Sequence, residues 1–222
     1  MITVPVDLAL SAWREPSFYG SESVVSLDSI ATAEPPRKLS LCPFRVLVDT
    51  NEGAPYRFTG IESSDDNDST LLVSTVTFPL YTHGKRSIVI DGKEYSKGLA
   101  DYSIEGLMDL VQVERKSLDD LYGTLGGRRD DFEAEICRLN ECEFAAVVVE
   151  ATWHEITHQP PARSRLNPKS VEGTIQAWSI RYPSVHWFAC GGRAGGERMT
   201  FKLLEKFWRV RRFEKMEGAV AQ

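Results

Sequence analysis

A chain of 222 residues with 42% hydrophobic content can bury one good core, and this length favours one elaborated domain over two full ones. The formal net charge of -6 and the isoelectric point near 5.3 argue against indiscriminate binding of nucleic acids through an overall basic surface. A local basic face is still compatible with this charge balance.

The N-terminal segment, residues 1–42, is weakly patterned and ends in the run Glu34-Pro-Pro-Arg-Lys. It predicts an arm or strap ahead of a domain over residues 43–222. The segment has neither a basic leader region nor a long apolar run, so we expect neither a signal peptide nor a membrane span. The four cysteines form no C-x-x-C pair and predict reduced thiols in a cytoplasmic protein rather than a zinc site. They are Cys42, Cys137, Cys142 and Cys190.

The first half of the domain predicts a meander of strands. Phe44–Asp49 is a short apolar strand that ends in an acid, so Asp49 and Glu52 lie at its carboxyl end, where the sites of open α/β sheets cluster. Leu71–Leu80 is a second strand, rich in Val and Thr. Ser87–Tyr95 predicts a hairpin, because its Asp-Gly pair accepts the positive φ angles of a type I′ turn.

The tripeptide Glu114-Arg115-Lys116 carries the clearest chemical signal. Side chains alternate across a strand, so Glu114 and Lys116 face one way and Arg115 the other. A carboxylate can hold a hard cation such as Mg²⁺, and a nearby ammonium can stabilise developing negative charge, which suits phosphodiester cleavage. Asp101 lies thirteen residues before Glu114, a separation that suits two antiparallel strands joined by a tight connection. With Asp49 and Glu52, these residues form one candidate site.

The second half of the chain alternates helices with strands, which together with the meander predicts a mixed-sheet α/β domain. Ser117 can cap a helix over Leu118–Leu125, with Asp119 and Asp120 favourably placed in its first turn. Phe144–Val149 is a continuous apolar run and predicts a buried central strand. The other predicted elements are helices over Arg129–Asn140, Ser170–Arg181 and Gly196–Arg212 and a strand over Val185–Ala189.

Three motifs, in this order, resemble those of XPF-type structure-specific endonuclease domains, a branch of the restriction-endonuclease-like PD-(D/E)XK folds. That family carries Val-Asp-x-Arg-Glu, Gly-Asp-Tyr and Glu-Arg-Lys-Ser-x-x-Asp-Leu. The corresponding segments here are Val48-Asp49-Thr50-Asn51-Glu52, Ala100-Asp101-Tyr102 and Glu114-Arg115-Lys116-Ser117-Leu118-Asp119-Asp120-Leu121. The third motif is nearly complete, and the resemblance covers roughly residues 44–212. Asn51 stands in place of an arginine, which puts a phosphate or carboxylate contact in doubt, and Ala100 stands in place of a glycine.

The resemblance implies a restriction-endonuclease-like mixed β-sheet flanked by helices, and an endonuclease that uses Mg²⁺ or Mn²⁺ and leaves 3′-hydroxyl and 5′-phosphate ends. From the site itself we expect one or two metal ions, held by Asp101, Glu114 and the backbone carbonyl of Arg115, with Asp49 and Glu52 binding a second ion or ordering its waters. Lys116 would contact the attacking water or the phosphate. Arg115 would be structural, paired with Asp120 beneath the site, while Asp120 also suits a helix cap. The candidate catalytic residues are therefore Asp49, Glu52, Asp101, Glu114, Arg115, Lys116 and Asp120.

The expected partner is DNA, branched or containing single strands. A stand-alone domain of this kind resembles bacterial or phage examples, so we expect the cytoplasm of a bacterial or phage-infected cell, with a homodimer or an accessory DNA-binding protein as a possible assembly. Several basic residues predict a DNA-binding track, although a proline-flanked basic loop is also typical of a merely solvated surface. These residues are Arg128, Arg129, Arg163, Arg165 and Lys169.

Two other functions fit the same motifs. A non-catalytic subunit that binds DNA junctions or acts as a scaffold is one, because the XPF family includes domains that have lost catalysis. Such domains usually lose the acids, which this chain retains. A restriction-like or phage recombination nuclease, with the same chemistry and another substrate, is the second.

The site residues also have structural interpretations. Glu114 and Lys116 would suit a surface ion pair, Asp101 a turn, and Asp49 a turn or helix cap. Glu150 reaches the metal or is a plain solvated acid.

Three further patterns favour structure over function. His154 and His158 lack the H-E-x-x-H signature and fall where a strand runs into a proline-bearing loop, which argues against zinc. The run Gly191–Gly196 lacks the Walker ending and favours a strand-to-helix turn. Four tryptophans favour core or interface positions over base stacking. They are Trp153, Trp178, Trp187 and Trp208.

Overall fold

Seven strands form one mixed sheet in the computed structural model, which describes residues 38–64, 69–80, 88–90, 92–95 and 100–220. The sheet contains β1 (Lys38–Asp49), β2 (Ile61–Glu62), β3 (Ser69–Phe78), β6 (Tyr102–Ile104), β7 (Val111–Lys116), β8 (Phe144–Val149) and β9 (Val185–Ala189). Their spatial order is β2-β3-β1-β6-β7-β8-β9. A separate antiparallel hairpin consists of β4 (Ile88–Ile90) and β5 (Lys93–Tyr95).

The sheet changes direction at its centre. The short strand β6 is antiparallel to both of its neighbours, β1 and β7. On one side β1 and β3 are parallel, and on the other β7, β8 and β9 are all parallel. The carboxyl ends of β1, β7, β8 and β9 therefore share one edge of the sheet with the amino end of β6.

Within the described residues, five helices pack on the two faces of the sheet: α1 (Leu118–Gly127), α2 (Arg129–Leu139), α3 (Trp153–His158), α4 (Pro168–Arg181) and α5 (Arg193–Val220). Alternation along β8 separates the layers, since Ala145 and Val147 join the core formed with α1, α2 and α4. Ala146 and Val148 join the core on the other face, with Phe201 of α5. The expected mixed α/β sheet with flanking helices is confirmed.

Most predicted elements are confirmed with shifted ends, and three differ. β1 begins at Lys38, so residues 38–42 of the predicted arm lie in the sheet; residues 1–37 lie outside the described residues. α5 is longer than predicted. Residues 153–158, predicted as part of a loop, form α3, because Thr152 and Glu155 make a capping box that starts a helix there.

A helix must be long and apolar to cross a membrane. None of the helices in the described part of the chain has this combination of length and composition.

Candidate active site

Three distant segments meet at the shared edge of the sheet. Asp49 ends β1, Asp101 directly precedes β6, and Glu114 lies near the end of β7. The main chain fixes this arrangement: the Asp49 N–H donates to the Asp101 carbonyl at 2.8 Å, and the Arg115 N–H donates to Asp101 Oδ2 at 2.8 Å. The structure thus places the three acids expected as metal ligands on segments that meet at one edge of the sheet, with their main chains joined by these hydrogen bonds.

Glu114 and Lys116 point to the face covered by α1 and α2, as the alternation predicts. Lys116 Nζ forms an ion pair with Glu114 and lies 3.4 Å from Asp120 Oδ2. It also lies 4.7 Å from the centre of the Phe132 ring. The Lys116 and Glu114 side chains are only 10% and 7% exposed, so a surface ion pair does not describe them.

Burial dominates the electrostatics of these groups. It raises the pKa of Asp101, and the nearby Glu114 carboxylate raises it further, although the Arg115 N–H bond opposes the shift. Burial also raises the pKa of Glu114, as does Glu135 of α2, while Lys116 opposes it. For Lys116, burial disfavours the charge, but Glu114, Glu135 and Asp120 together raise its pKa. The surrounding carboxyl groups therefore favour the charged form of Lys116.

Arg115 faces the opposite layer, where it organises a second polar cluster. Its guanidinium donates to both carboxylate oxygens of Glu150, at 2.7 and 3.0 Å, and approaches Glu52 Oε1 at 3.3 Å. The predicted pairing of Arg115 with Asp120 is wrong, because Asp120 lies on α1, on the Lys116 side of β7, whereas the Arg115 side chain points to the other face of the sheet. Asp120 instead contacts Lys116 and Arg128, and its backbone N–H is capped by Ser117.

Glu150 is not a plain solvated acid, because its oxygens are held by other side chains. Besides Arg115, it accepts a hydrogen bond from the Tyr56 hydroxyl at 2.9 Å, and Arg193 Nη1 of α5 lies 3.4 Å away. Although burial alone would raise the pKa of Glu150, the bonds from Arg115 and Tyr56 outweigh it and lower that pKa. Glu52 belongs to this cluster through Arg115, on the opposite side of β7 from Lys116.

The loop after β1 is held in place from α5. Arg193 Nη2 donates to the carbonyls of Ala54 and Pro55 at 2.7 and 3.0 Å. The Tyr56 N–H donates to the Tyr102 hydroxyl at 2.9 Å, and the two rings stack. Asn51, which departs from the family motif, donates its N–H to Asp49 Oδ2 at 2.9 Å. The loop therefore has a fixed path beside Asp49.

Sequence reasoning missed three contributors to this region: Glu135, Tyr56 and Arg193. Each comes from an element that reaches the site only through tertiary packing. Arg193 lies in the glycine-rich run after β9, which was interpreted as a turn alone, and a charged residue within that turn is the one signal that pointed to it. Gly191 and Gly192 have φ angles of 68° and 127°, which confirms a turn there.

The donor set fits a divalent cation in part. Asp101 is half-buried and Glu114 is buried, and the Glu114 carboxylate raises the pKa of Asp101, so a cation held by both would offset this repulsion. Within the described residues, no three side chains of His, Cys, Asp or Glu converge in positions that could hold a metal ion. Backbone carbonyls, water or substrate oxygens would therefore complete the coordination, as is usual for Mg²⁺.

Three residues of the predicted basic track lie on the connection from β8 to β9. The connection between the parallel strands β8 and β9 leaves from the carboxyl edge, so α3, residues 159–167 and the start of α4 lie there. Arg163, Arg165 and Lys169 on this connection are exposed. Arg128 is 62% exposed and contacts Asp120.

Arg129, also predicted for the basic track, is exposed but makes contacts within the protein. Its Nη1 donates to Thr174 Oγ1 at 2.6 Å, and its guanidinium lies 5.1 Å from the centre of the Trp178 ring. It thereby connects α2 to α4.

Trp178 is fully buried and Trp187 and Trp208 pack against the two cores, as predicted. Trp153 differs, because it is 43% exposed.

No family model matches the chain, and no curated protein matches its sequence. Several solved structures resemble it, including the following two. XPF from Aeropyrum pernix aligns with a TM-score of 0.48 and 18% identity over 78% of this chain and 69% of that one. A structure of XPF from Aeropyrum pernix in complex with DNA aligns with a TM-score of 0.47 and 17% identity, over 76% of this chain and 66% of that one.

Proposed function

We propose that this chain is a Mg²⁺- or Mn²⁺-dependent DNA endonuclease that hydrolyses phosphodiester bonds in branched or single-strand-containing DNA. One observation carries the proposal: half-buried Asp101, from one motif that resembles those of XPF-type nucleases, accepts a hydrogen bond from the main chain of Arg115, between the buried, ion-paired Glu114 and Lys116 of another. Two acids and a lysine at a sheet edge are the groups that phosphodiester hydrolysis requires.

A divalent cation held by Asp101 and Glu114, with Asp49 nearby, would supply Lewis-acid chemistry at the scissile phosphate. Lys116 then has a defined task. Its ammonium, held at the site by Glu114 and Asp120, donates hydrogen bonds to a phosphate oxygen and stabilises the negative charge that develops in the transition state. Arg115 acts at a distance, because its bond network fixes the strand that carries both Glu114 and Lys116.

The exposed basic residues complete the proposal. Arg163, Arg165 and Lys169 are exposed on the connection that follows β8, and exposed Arg128 contacts Asp120; guanidinium and ammonium groups neutralise phosphates without regard to base sequence. They would hold the DNA backbone so that one phosphate reaches Lys116. The negative charge of the whole molecule keeps this binding local.

A cleavage assay on labelled flaps, forks, four-way junctions and single strands tests the proposal. Asp101→Asn and Glu114→Gln should abolish cleavage in Mg²⁺ while circular dichroism and DNA affinity stay close to native, because phosphate contacts lie elsewhere. Glu105→Gln is the matched control, since Glu105 follows the opposite end of β6 and pairs with Arg45 at the surface. Full activity of either site variant would refute the assignment.

A non-catalytic DNA-binding subunit is the second candidate. It is favoured by the ion pair between Lys116 and Glu114, which engages a carboxylate that a metal ion would need. The same assay separates the two, because a non-catalytic subunit would bind the DNAs and cleave none of them under any divalent metal.

A further inference from the structure

Trp153 is a large apolar residue that is not buried in the core. It is the first residue of α3, three positions after Glu150, and its side chain is 43% exposed. A tryptophan carries a large apolar surface, and leaving it in water forfeits the free energy that burial would provide. Ile156, on the same short helix, is 1% exposed and anchors α3 to the core.

The helix is a rigid support for this ring. The Thr152–Glu155 capping box fixes the start of α3, and the Tyr122 hydroxyl of α1 donates to the Ile156 carbonyl at 2.6 Å. Trp153 is therefore exposed on a fixed element.

Two more rings are exposed on the same helix. His154 and His158 stack on each other, with ring centres 4.8 Å apart and planes at 17°. Beyond them the chain continues through Pro160 and Pro161 to the exposed Arg163 and Arg165. Flat rings and guanidinium groups therefore follow one another along a single connection at the carboxyl edge of the sheet.

This combination matches one ligand class. Single-stranded nucleic acids are bound by aromatic side chains that stack on successive bases and by cationic groups that follow the phosphates. In a duplex the base faces are covered by their neighbours and are not accessible to such rings. We propose that Trp153, with the His154–His158 pair, is a stacking subsite for unpaired bases of a DNA strand whose phosphates contact Arg163 and Arg165. The choice of DNA rests on the proposed function.

The stacking subsite indicates on which side of the candidate active site the single-stranded part of the DNA would lie. Trp153 follows Glu150, and the Glu150 N–H donates to the Lys116 carbonyl at 2.8 Å, so the rings lie beside the strand end that carries the acids. An unpaired segment stacked on α3 would bring its adjoining phosphates to this edge. The substrate would then be a DNA with a single-stranded part next to the cleaved bond.

Binding in EDTA tests the subsite without any cleavage. Fluorescence anisotropy with a labelled single strand of about 20 nucleotides and with the matching duplex should show that Trp153→Ala weakens single-strand binding about 5- to 100-fold, with duplex affinity changed less than about twofold. Trp153→Phe, which keeps a ring, should retain most of the affinity. Ile180→Ala is the control, because Ile180 is 83% exposed on α4. His154→Ala with His158→Ala provides an independent second variant, expected to weaken the single strand in the same direction.

Unchanged single-strand affinity in Trp153→Ala, equal losses on both DNAs, or no single-strand binding by the native chain would each overturn the subsite. These results are distinct from failure of the proposed function. A chain that never cleaves but loses single-strand affinity in Trp153→Ala keeps the subsite and loses the endonuclease. If the chain cleaves DNA and its Trp153→Ala variant binds both DNAs normally, the endonuclease proposal stands and the subsite is refuted.

Discussion

Arg115 and Glu150 form a bidentate ion pair between the parallel strands β7 and β8, with Nε–Oε1 at 2.7 Å and Nη2–Oε2 at 3.0 Å. Their side chains are 16% and 8% exposed. Removing one partner of such a buried pair leaves the other charge without compensation, so Glu150→Gln should lower the free energy of unfolding by roughly 3 kcal/mol. Urea denaturation followed by circular dichroism measures it.

Arg45 and Glu105 provide the control for this pair. They form a bidentate pair of the same geometry, but their side chains are 54% and 43% exposed. Because solvent screens such a pair, Glu105→Gln should cost no more than about 1 kcal/mol. Equal losses in the two variants would mean that burial of Glu150 contributes nothing.

Gly196 is the close contact between α5 and the loop after β1. A methyl group there would lie 2.4 Å from the Tyr56 hydroxyl oxygen and 3.3 Å from Glu150 Cγ. Gly196→Ala must therefore displace Tyr56, and we expect a loss of about 1–3 kcal/mol in unfolding free energy. Gly173→Ala is the counterpart in α4, where nothing lies within 4 Å. It should stabilise the protein by up to about 1 kcal/mol, and thermal unfolding of both variants shows whether the signs are opposite.

Glu205 of α5 provides a test of pH dependence. Its side chain is 4% exposed and is bonded by Ser64, Lys202 and Arg209. Burial alone would raise the pKa of Glu205, but these bonds outweigh it and the pKa is lowered from 4.5. The stabilisation is therefore present above the unfolded-state pKa and lost as pH falls through the folded-state value.

Glu205→Gln should accordingly be less stable than the native chain at pH 7, by about 2 kcal/mol. The difference should shrink below about pH 4.5. Urea denaturation in steps from pH 7 to pH 3 measures the trend; a difference that stays constant across this range would show that charge on Glu205 has no part in it.

Metal replacement examines the proposed chemistry directly. EDTA should silence cleavage, and Mg²⁺ or Mn²⁺ should restore it. Ca²⁺ should not, because the larger and more flexibly coordinated ion rarely supports this geometry. Cleavage that persists in EDTA would contradict metal dependence.

Arg163 and Arg165 test the basic face. Replacing both with alanine should weaken duplex binding about equally across sequences and flatten the salt dependence of the binding constant by about 0.9 per lost phosphate contact. Cleavage at saturating DNA should largely survive. If affinity and salt slope do not change, the loop is merely solvated and DNA contacts another surface, for which α5 around Arg209 is the next candidate.

Local patterns predicted most of the fold. Ser117 before an acidic first turn predicted α1, and the continuous apolar run Phe144–Val149 predicted the central strand, because capping and burial are written in neighbouring residues. α3 was not predicted, since the two prolines after it suggested a loop and the capping box at Thr152 was overlooked.

The acids of the site could be predicted because each stands at a recognisable strand end. Their partners could not, because strand alternation gives the face on which Arg115 lies but not which helix covers it. Glu150 and Arg193 are separated by forty-three residues and meet only because β8 lies beside β9, and α5 begins after it. No pattern within either segment specifies that meeting.

β6 has only three residues, yet it joins the two halves of the sheet, because it pairs with β1 on one side and with β7 on the other. The same pairing holds the main chain at Asp101 beside Asp49 and beside the strand that carries Glu114. A fluctuation that detached β6 would split the sheet and scatter the acids in one event. A partly folded chain would therefore have no partly formed site, and we expect the acids to act together only in molecules whose two half-sheets are already joined.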